Sequence, residues 1–251
     1  MHKLAGMQPI RLVLLPALVL TIAACGGSDD EVESFSTTGA PTTEAASTGT
    51  ATTETQAAST SASTAPGSQD CESPEAPSAK PDGGADAPTD ELDAATTYRL
   101  RFETSCGSFT VTLDLEQGPN AAASLVALAK SGFFDQVVFH RVVPGFVIQG
   151  GDPTGTGTGG PGYKTLDVPR EGSAYTQGVV AMAKSGAEPP GTSGSQFFVV
   201  TGPDAGLPAE YAIVGRVTAG LATVLKIDAL GVGDGPPSIP VVIEKVTVEE
   251  S

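Results

Sequence analysis

The 251-residue chain has no tryptophan, two histidines and three cysteines, and each scarcity removes a class of function. His2 sits at the extreme N-terminus, so His140 is the one histidine left for chemistry. That supply is too small for a Cys/His metal centre, and no metal is expected. A Ser-His-Asp or Cys-His arrangement would have to use His140. No Gly-x-Ser-x-Gly elbow accompanies it, since Gly191-Thr192-Ser193-Gly194-Ser195 lacks the spacing. Bases are scarce too, 13 Lys and Arg against 29 Asp and Glu, which argues against a nucleic-acid partner. The glycine run 155–160 lacks the Gly-Lys-Ser/Thr ending of a phosphate loop, so no nucleotide or other cofactor is expected.

Large apolar residues are nearly missing from residues 26–96, which are Ser, Thr, Ala, Gly, Pro and acids. Such a segment cannot bury enough surface to offset chain entropy and is expected to be a disordered tether. It carries fourteen acids against the single base Lys80, so most of the chain's acidity belongs to it. Ahead of it, Lys3 and Arg11 are followed by one apolar run, Leu12 to Ala24, interrupted by Pro16. The run is too short and too broken to span a bilayer and reads as a signal peptide.

Ile22-Ala23-Ala24-Cys25 is similar to a bacterial lipoprotein cleavage box. That likeness implies acylation of Cys25 and an extracytoplasmic protein held to the bacterial cell membrane by lipid. An ordinary secretory signal with an incidental cysteine is the alternative. Once Cys25 is set aside, Cys71 and Cys106 remain, an even number in an oxidising location. A disulfide would pin the tether to the domain, with two free thiols as the alternative. The chain thus divides into a signal peptide (1–24), a linker (25–96) and a folded domain (97–251).

Within the domain, residues 98–115 alternate apolar and polar across the turn Ser105-Cys106-Gly107-Ser108, the pattern of a hairpin. Pro119-Asn120 opens a helix that stops near Lys130-Ser131-Gly132. Further strands are expected at 137–143, 145–150, about 178–183, 196–201 and 211–217, then a helix over 219–230 and a strand within 239–248. Many short strands with two helices argue for a mainly β, closed antiparallel barrel whose ends the helices plug.

A reaction that needs neither nucleophile nor metal fits this inventory. Rotation about an X–Pro amide faces a barrier of about 18–20 kcal/mol because resonance must be broken. In the twisted state the nitrogen pyramidalises and gains a lone pair, so a donor aimed there stabilises only the transition state. One guanidinium, one amide and a few aromatic side chains suffice. Read alone, Arg141 is an exposed strand arginine in an ion pair, and Phe146, Phe197 and Phe198 are core. Alternation alone puts Gln149 with Val147 and Phe146 with Ile148, because Pro144-Gly145 resets the register. It does not gather Arg141, Phe146 and Gln149 on one surface.

Phe139-His140-Arg141-Val142-Val143-Pro144-Gly145-Phe146-Val147-Ile148-Gln149-Gly150-Gly151-Asp152, with Gly194-Ser195-Gln196-Phe197-Phe198, resembles the cyclophilin family of peptidyl-prolyl cis–trans isomerases. The likeness covers about residues 97–248. It implies an eight-stranded closed barrel, with Arg141 as donor to the prolyl nitrogen, Gln149 as carbonyl anchor and Phe146 as pocket wall. It also implies substrate contacts at Val147, Ala183, Lys184, Gln196, Phe198, Leu207 and Tyr211. Ala183 and Lys184 would contact the peptide through their backbone, so a lysine there should matter little. Asp152 is expected to bond loop backbone, and His140 to be structural or on the rim.

Gly206 stands where many members carry tryptophan, which counts against tight cyclosporin binding. The implied partners are proline-containing peptides and unfolded exported proteins. The implied function is isomerase activity that assists folding at the envelope. The alternatives are a proline-peptide holdase with little turnover and an envelope lipoprotein whose spacer is the functional part.

Overall fold

The computed structural model describes residues 71–251. The expected signal peptide, Cys25 and the tether up to residue 70 lie outside the described residues. The hairpin forms as its alternation requires: β1 (Tyr98–Thr104) and β2 (Gly107–Leu113) bury Tyr98, Leu100, Phe102, Phe109 and Val111 on one side. The register pairs Phe102 with Phe109, whose rings stack at 4.8 Å. Helix α1 (Pro119–Lys130) follows, with proline in its first turn and Lys130 in its last. Its N-cap is a glycine without a side chain, so Asp167 caps it instead, accepting from the N–H groups of Asn120 (3.2 Å) and Ala121 (2.7 Å).

The next strands are β3 (Val137–Val138), β4 (Arg141–Val143), β5 (Val147–Gly150), β6 (Thr165–Leu166), β7 (Val179–Met182), β8 (Thr192–Ser193), β9 (Phe197–Val200) and β10 (Ile213–Ala219). Helix α2 (Leu221–Asp228) and β11 (Val242–Glu250) complete the chain. Nine strands form one antiparallel sheet in the order β3-β11-β1-β2-β10-β7-β9-β5-β4, while β6 and β8 pair separately. The expected closed eight-stranded barrel is therefore corrected to an open half-barrel of nine strands with two helices. The stretch expected as one strand over 137–143 splits, because Val137–Val138 pair with β11 and Arg141–Val143 pair with β5. Its halves become the two edges of the sheet, and no ladder joins them among the described residues.

Residues 71–96 contain no helix or strand, yet they lie along the domain. Cys71 is bonded to Cys106, and Glu72 N–H donates to the Ser105 carbonyl (2.8 Å). Lys80 Nζ donates to the carbonyls of Gly132 (3.2 Å) and Phe133 (2.9 Å) just beyond α1. Gly83 and Ala85 N–H donate to Gly160 and Pro161. Cys71, Ala85 and Leu92 pack against the main core.

Two apolar clusters flank the sheet. The larger is built on Phe102, Phe109, Phe134, Phe139, Ile148, Met182 and Phe197. The smaller holds Val147, Tyr175, Val179, Ala181, Phe198 and Val200. Period two along β5, β7 and β9 sends consecutive side chains to different clusters: Val147 and Ile148, Ala181 and Met182, Phe197 and Phe198.

Candidate active site

Register decides what alternation could not. Arg141 on β4 pairs with Gln149 on β5, Gln149 with Phe198 on β9, Phe198 with Ala181 on β7, and Ala181 with Ile213 on β10. Directly opposed residues share a face, so Arg141, Gln149 and Phe198 stand in one row across the outer side of the sheet. Phe146 joins them from the turn between β4 and β5, where its N–H donates to the Val143 carbonyl (3.0 Å). The Asp228 carboxylate at the end of α2 accepts from the Gly145 N–H (3.1 Å) and the Thr201 hydroxyl (2.7 Å), which fixes that turn.

These residues line a cavity of about 280 Å³, completed by Val147, Ala183, Lys184, Leu207 and Tyr211. Nine of the ten substrate-contact and catalytic positions expected from sequence thus line it; Gln196 lies in an adjoining groove of about 370 Å³ with Gly157–Gly159 and Ser185. The pocket floor is set by rings: Phe198 meets Tyr211 edge-on at 5.5 Å, and Tyr175 lies 6.4 Å from Phe198. Tyr175 is fully buried; its hydroxyl donates to the Tyr211 carbonyl (2.8 Å) and accepts the Tyr211 N–H (3.0 Å). Burial pushes the Tyr175 phenol pKa up, which keeps it a neutral donor.

The polar wall is a directed chain of hydrogen bonds. Arg141 Nη1 donates to Gln149 Oε1 (3.3 Å), Gln149 Nε2 donates to Gln196 Oε1 (3.0 Å), and Gln196 Nε2 donates to the Gly159 carbonyl (2.9 Å). A guanidinium can only donate, so its position dictates which way both amides face. The glycine loop that supplies Gly159 is organised by Asp152, which is buried and accepts from Thr154 N–H and Oγ1 and from the N–H groups of Gly157 and Gly159. Burial alone would raise the Asp152 pKa, but these donors outweigh it and hold it below the ordinary carboxylate value. His140 packs against Gly157, and burial pushes its pKa down, so it contributes a neutral ring.

One feature departs from the sequence reading. The Lys184 side chain is only 3 % exposed; its ammonium bonds Glu210 (2.9 Å) and the Glu188 carbonyl (3.2 Å) and sits 5.5 Å over the Tyr211 ring. It therefore braces the rim, a larger role than backbone contact alone. Gly206 has open space around its Cβ direction, so the rim lacks a wall there. Asp228 and Asp234, which touch the turn and the guanidinium, were missed. For Asp234 the sequence signal was an acid inside the turn-forming run Gly231-Val232-Gly233-Asp234-Gly235-Pro236.

The sequence pattern of the family described as cyclophilin type peptidyl-prolyl cis-trans isomerase/CLD matches residues 99–248. The chain belongs to the cyclophilin family. It is an enzyme of the peptidyl-prolyl cis–trans isomerase class. This cyclophilin is 39% identical over 155 residues to a peptidyl-prolyl cis-trans isomerase-like 1 of Aspergillus fumigatus, covering 59% of this chain and 94% of that one. An Arabidopsis thaliana peptidyl-prolyl cis-trans isomerase is 37% identical over 135 residues, covering 52% and 80%. A crystal structure of a Cryptosporidium parvum cyclophilin type isomerase superposes with a TM-score of 0.57 at 31% identity, covering 62% of this chain and 99% of that one. A second structure of that protein, in the presence of the dipeptide Ala-Pro, gives 0.56 at the same identity, covering 61% and 99%.

Proposed function

We propose that this cyclophilin binds proline-containing peptides in the pocket over Phe198 and turns them with Arg141 as donor, acting on exported proteins at a bacterial envelope. The observation that carries the catalytic part is the cross-strand row that sets the guanidinium beside Gln149 above an apolar floor. Of the five N–H groups of Arg141, Asp234 takes two and Gln149 one, which leaves two without a protein partner among the described residues. The proline ring enters the slot of Phe146, Val147, Phe198 and Leu207, with Tyr211 at the rim. A free N–H of Arg141 meets the nitrogen lone pair that exists only when the amide is twisted, so binding is tighter at the top of the barrier than at either planar end. Gln149 holds the carbonyl before proline while the other side rotates. Nothing in this scheme changes protonation, so neither His140 nor Asp152 takes part in it.

The relative solved in the presence of Ala-Pro supports this ligand class. The envelope role rests on the processing pattern ending at Cys25, with the Cys71–Cys106 disulfide fitting an oxidising compartment. Titrating labelled protein with an Ala-Pro peptide tests the pocket. Amide and side-chain shifts are expected at Phe146, Gln149, Lys184 and Tyr211, and saturation without shifts there contradicts the reading. Labelled fatty acid tests the anchor: it should enter the wild type and not Cys25→Ala, and equal membrane partitioning of the two would remove the envelope assignment.

A further inference from the structure

Arg141 has four rotatable side-chain bonds and emerges from a three-residue edge strand, which by itself does not hold a guanidinium still. Its Nε and Nη2 are gripped side-on by the two oxygens of Asp234, at 2.5 and 3.0 Å, the fork-to-fork geometry that fixes a guanidinium in one plane. The loop carrying Asp234 is itself stitched to the strand that carries Arg141. Val142 N–H donates to the Gly235 carbonyl (2.7 Å), and Gly231 lies so close to Pro144 and Val142 that a Cβ there would meet them within 3 Å. The next residue on each side of one backbone bond thus supplies one half of the clamp. Because that backbone bond holds the loop without the carboxylate, Asp234 is not required to shape it.

We propose that Asp234 is a positioning residue for isomerisation. It holds the Nε–Nη2 edge on the solvent side so that Nη1 stays directed along Gln149 and toward the pocket. This rests on the reading of Arg141 as donor. The clamp does not obstruct the substrate, since it occupies the edge opposite Gln149 and its carboxylate is 65 % exposed, outside the residues that line the pocket. An ordinary surface ion pair would contribute little and could be removed without effect. A clamp removes the search of the guanidinium among rotamers at the moment the amide twists, which lowers the barrier without tightening ground-state binding. Its signature is therefore in kcat and not in KM.

The test measures cis–trans exchange of an Ala-Pro peptide by the full chain and by Asp234→Ala, Asp234→Asn, Arg141→Ala and the double variant Arg141→Ala/Asp234→Ala. Asp234→Ala should lower kcat about five- to ten-fold with KM within about two-fold and an unchanged urea midpoint. Asp234→Asn keeps one acceptor for Nε and should recover part of the loss. In the Arg141→Ala background the second change should do nothing more. The Arg141 Nε–H resonance should be protected from solvent in the wild type and lose protection in Asp234→Ala. Wild-type or faster turnover in Asp234→Ala overturns the proposal, as does a loss that persists in the Arg141→Ala background. If Arg141→Ala itself turns over at the wild-type rate, the donor reading fails and the clamp fails with it. If Arg141→Ala is impaired and Asp234→Ala is not, the clamp alone is wrong.

Discussion

Phe197 and Phe198 are adjacent on one strand and nearly equally buried, at 1 % and 4 % exposure, yet they serve opposite sides of the sheet. Phe197 is packed among Phe102, Phe134 and Phe139, with ring centroids at 5.2 to 6.1 Å, in a cluster that also takes buried residues from α1 and α2. Phe198 is flanked by Tyr175 and Tyr211, and with Tyr211 it lines the cavity beside Arg141. The difference shows how one sheet divides its labour. The inner face is filled and supplies stability, while the outer face keeps a cavity of about 280 Å³, the one assigned to the peptide in the proposed function. Partial coverage separates the two, since composition is similar on both sides.

The sharpest way to break this division is to empty each face in turn. Phe197→Ala should lower unfolding free energy by about 3–5 kcal/mol in urea melts, because its neighbours cannot collapse into the space. The folded fraction should keep its kcat within about two-fold. A collapse of turnover in correctly folded protein would show that the faces are not separable. Phe198→Ala should cost less, about 1–2 kcal/mol, since the new space joins a cavity already open to water, but KM for an Ala-Pro peptide should rise about ten-fold or more. Equal stability losses at the two positions would contradict the account.

The strap 71–96 extends the comparison, because its apolar residues pack on the inner cluster. Reducing the Cys71–Cys106 bond, which spans 35 residues of chain, or replacing both cysteines by serine, should destabilise the domain by about 4 kcal/mol on the loop-entropy scale while turnover of the folded protein changes little. A reductant-dependent kcat would place the strap on the catalytic side instead. The smallest expected effect is with pH. Burial depresses the His140 pKa in the folded state, so below its ordinary value near 6.5 the unfolded chain binds the extra proton more readily. Stability should fall as pH drops through that window and level off above it, and His140→Gln should flatten the slope. The exchange rate per folded molecule should stay flat over the same range, since no reacting group titrates.

The elements most legible in the sequence were those whose signals are local. Alternation in 98–104 and 107–113 marks a half-buried hairpin, and Pro119 with Gly132 brackets α1. The open sheet was hidden because 137–143 reads as one apolar strand, and its division is made by two different partners, β11 and β5. The site residues were legible through motif resemblance, while their shared face needed the pairing of Arg141 with Gln149 and of Gln149 with Phe198. The sequence shows Asp234 only as an acid in a turn, and its pairing with Arg141 across 93 residues of chain needs the fold. The strap has the composition of a disordered segment, and what holds it is one disulfide and a handful of bonds such as Lys80 to Gly132 and Phe133, none of which a composition reveals.

The guanidinium beside Gln149 is the element on which the outer face depends, and exchange spectroscopy on Arg141→Ala reaches it directly. With the fold verified by an unchanged urea midpoint, catalysed cis–trans exchange of an Ala-Pro peptide should fall about 100-fold or more while the peptide still binds over Phe198. Exchange at the wild-type rate in that variant would contradict the account.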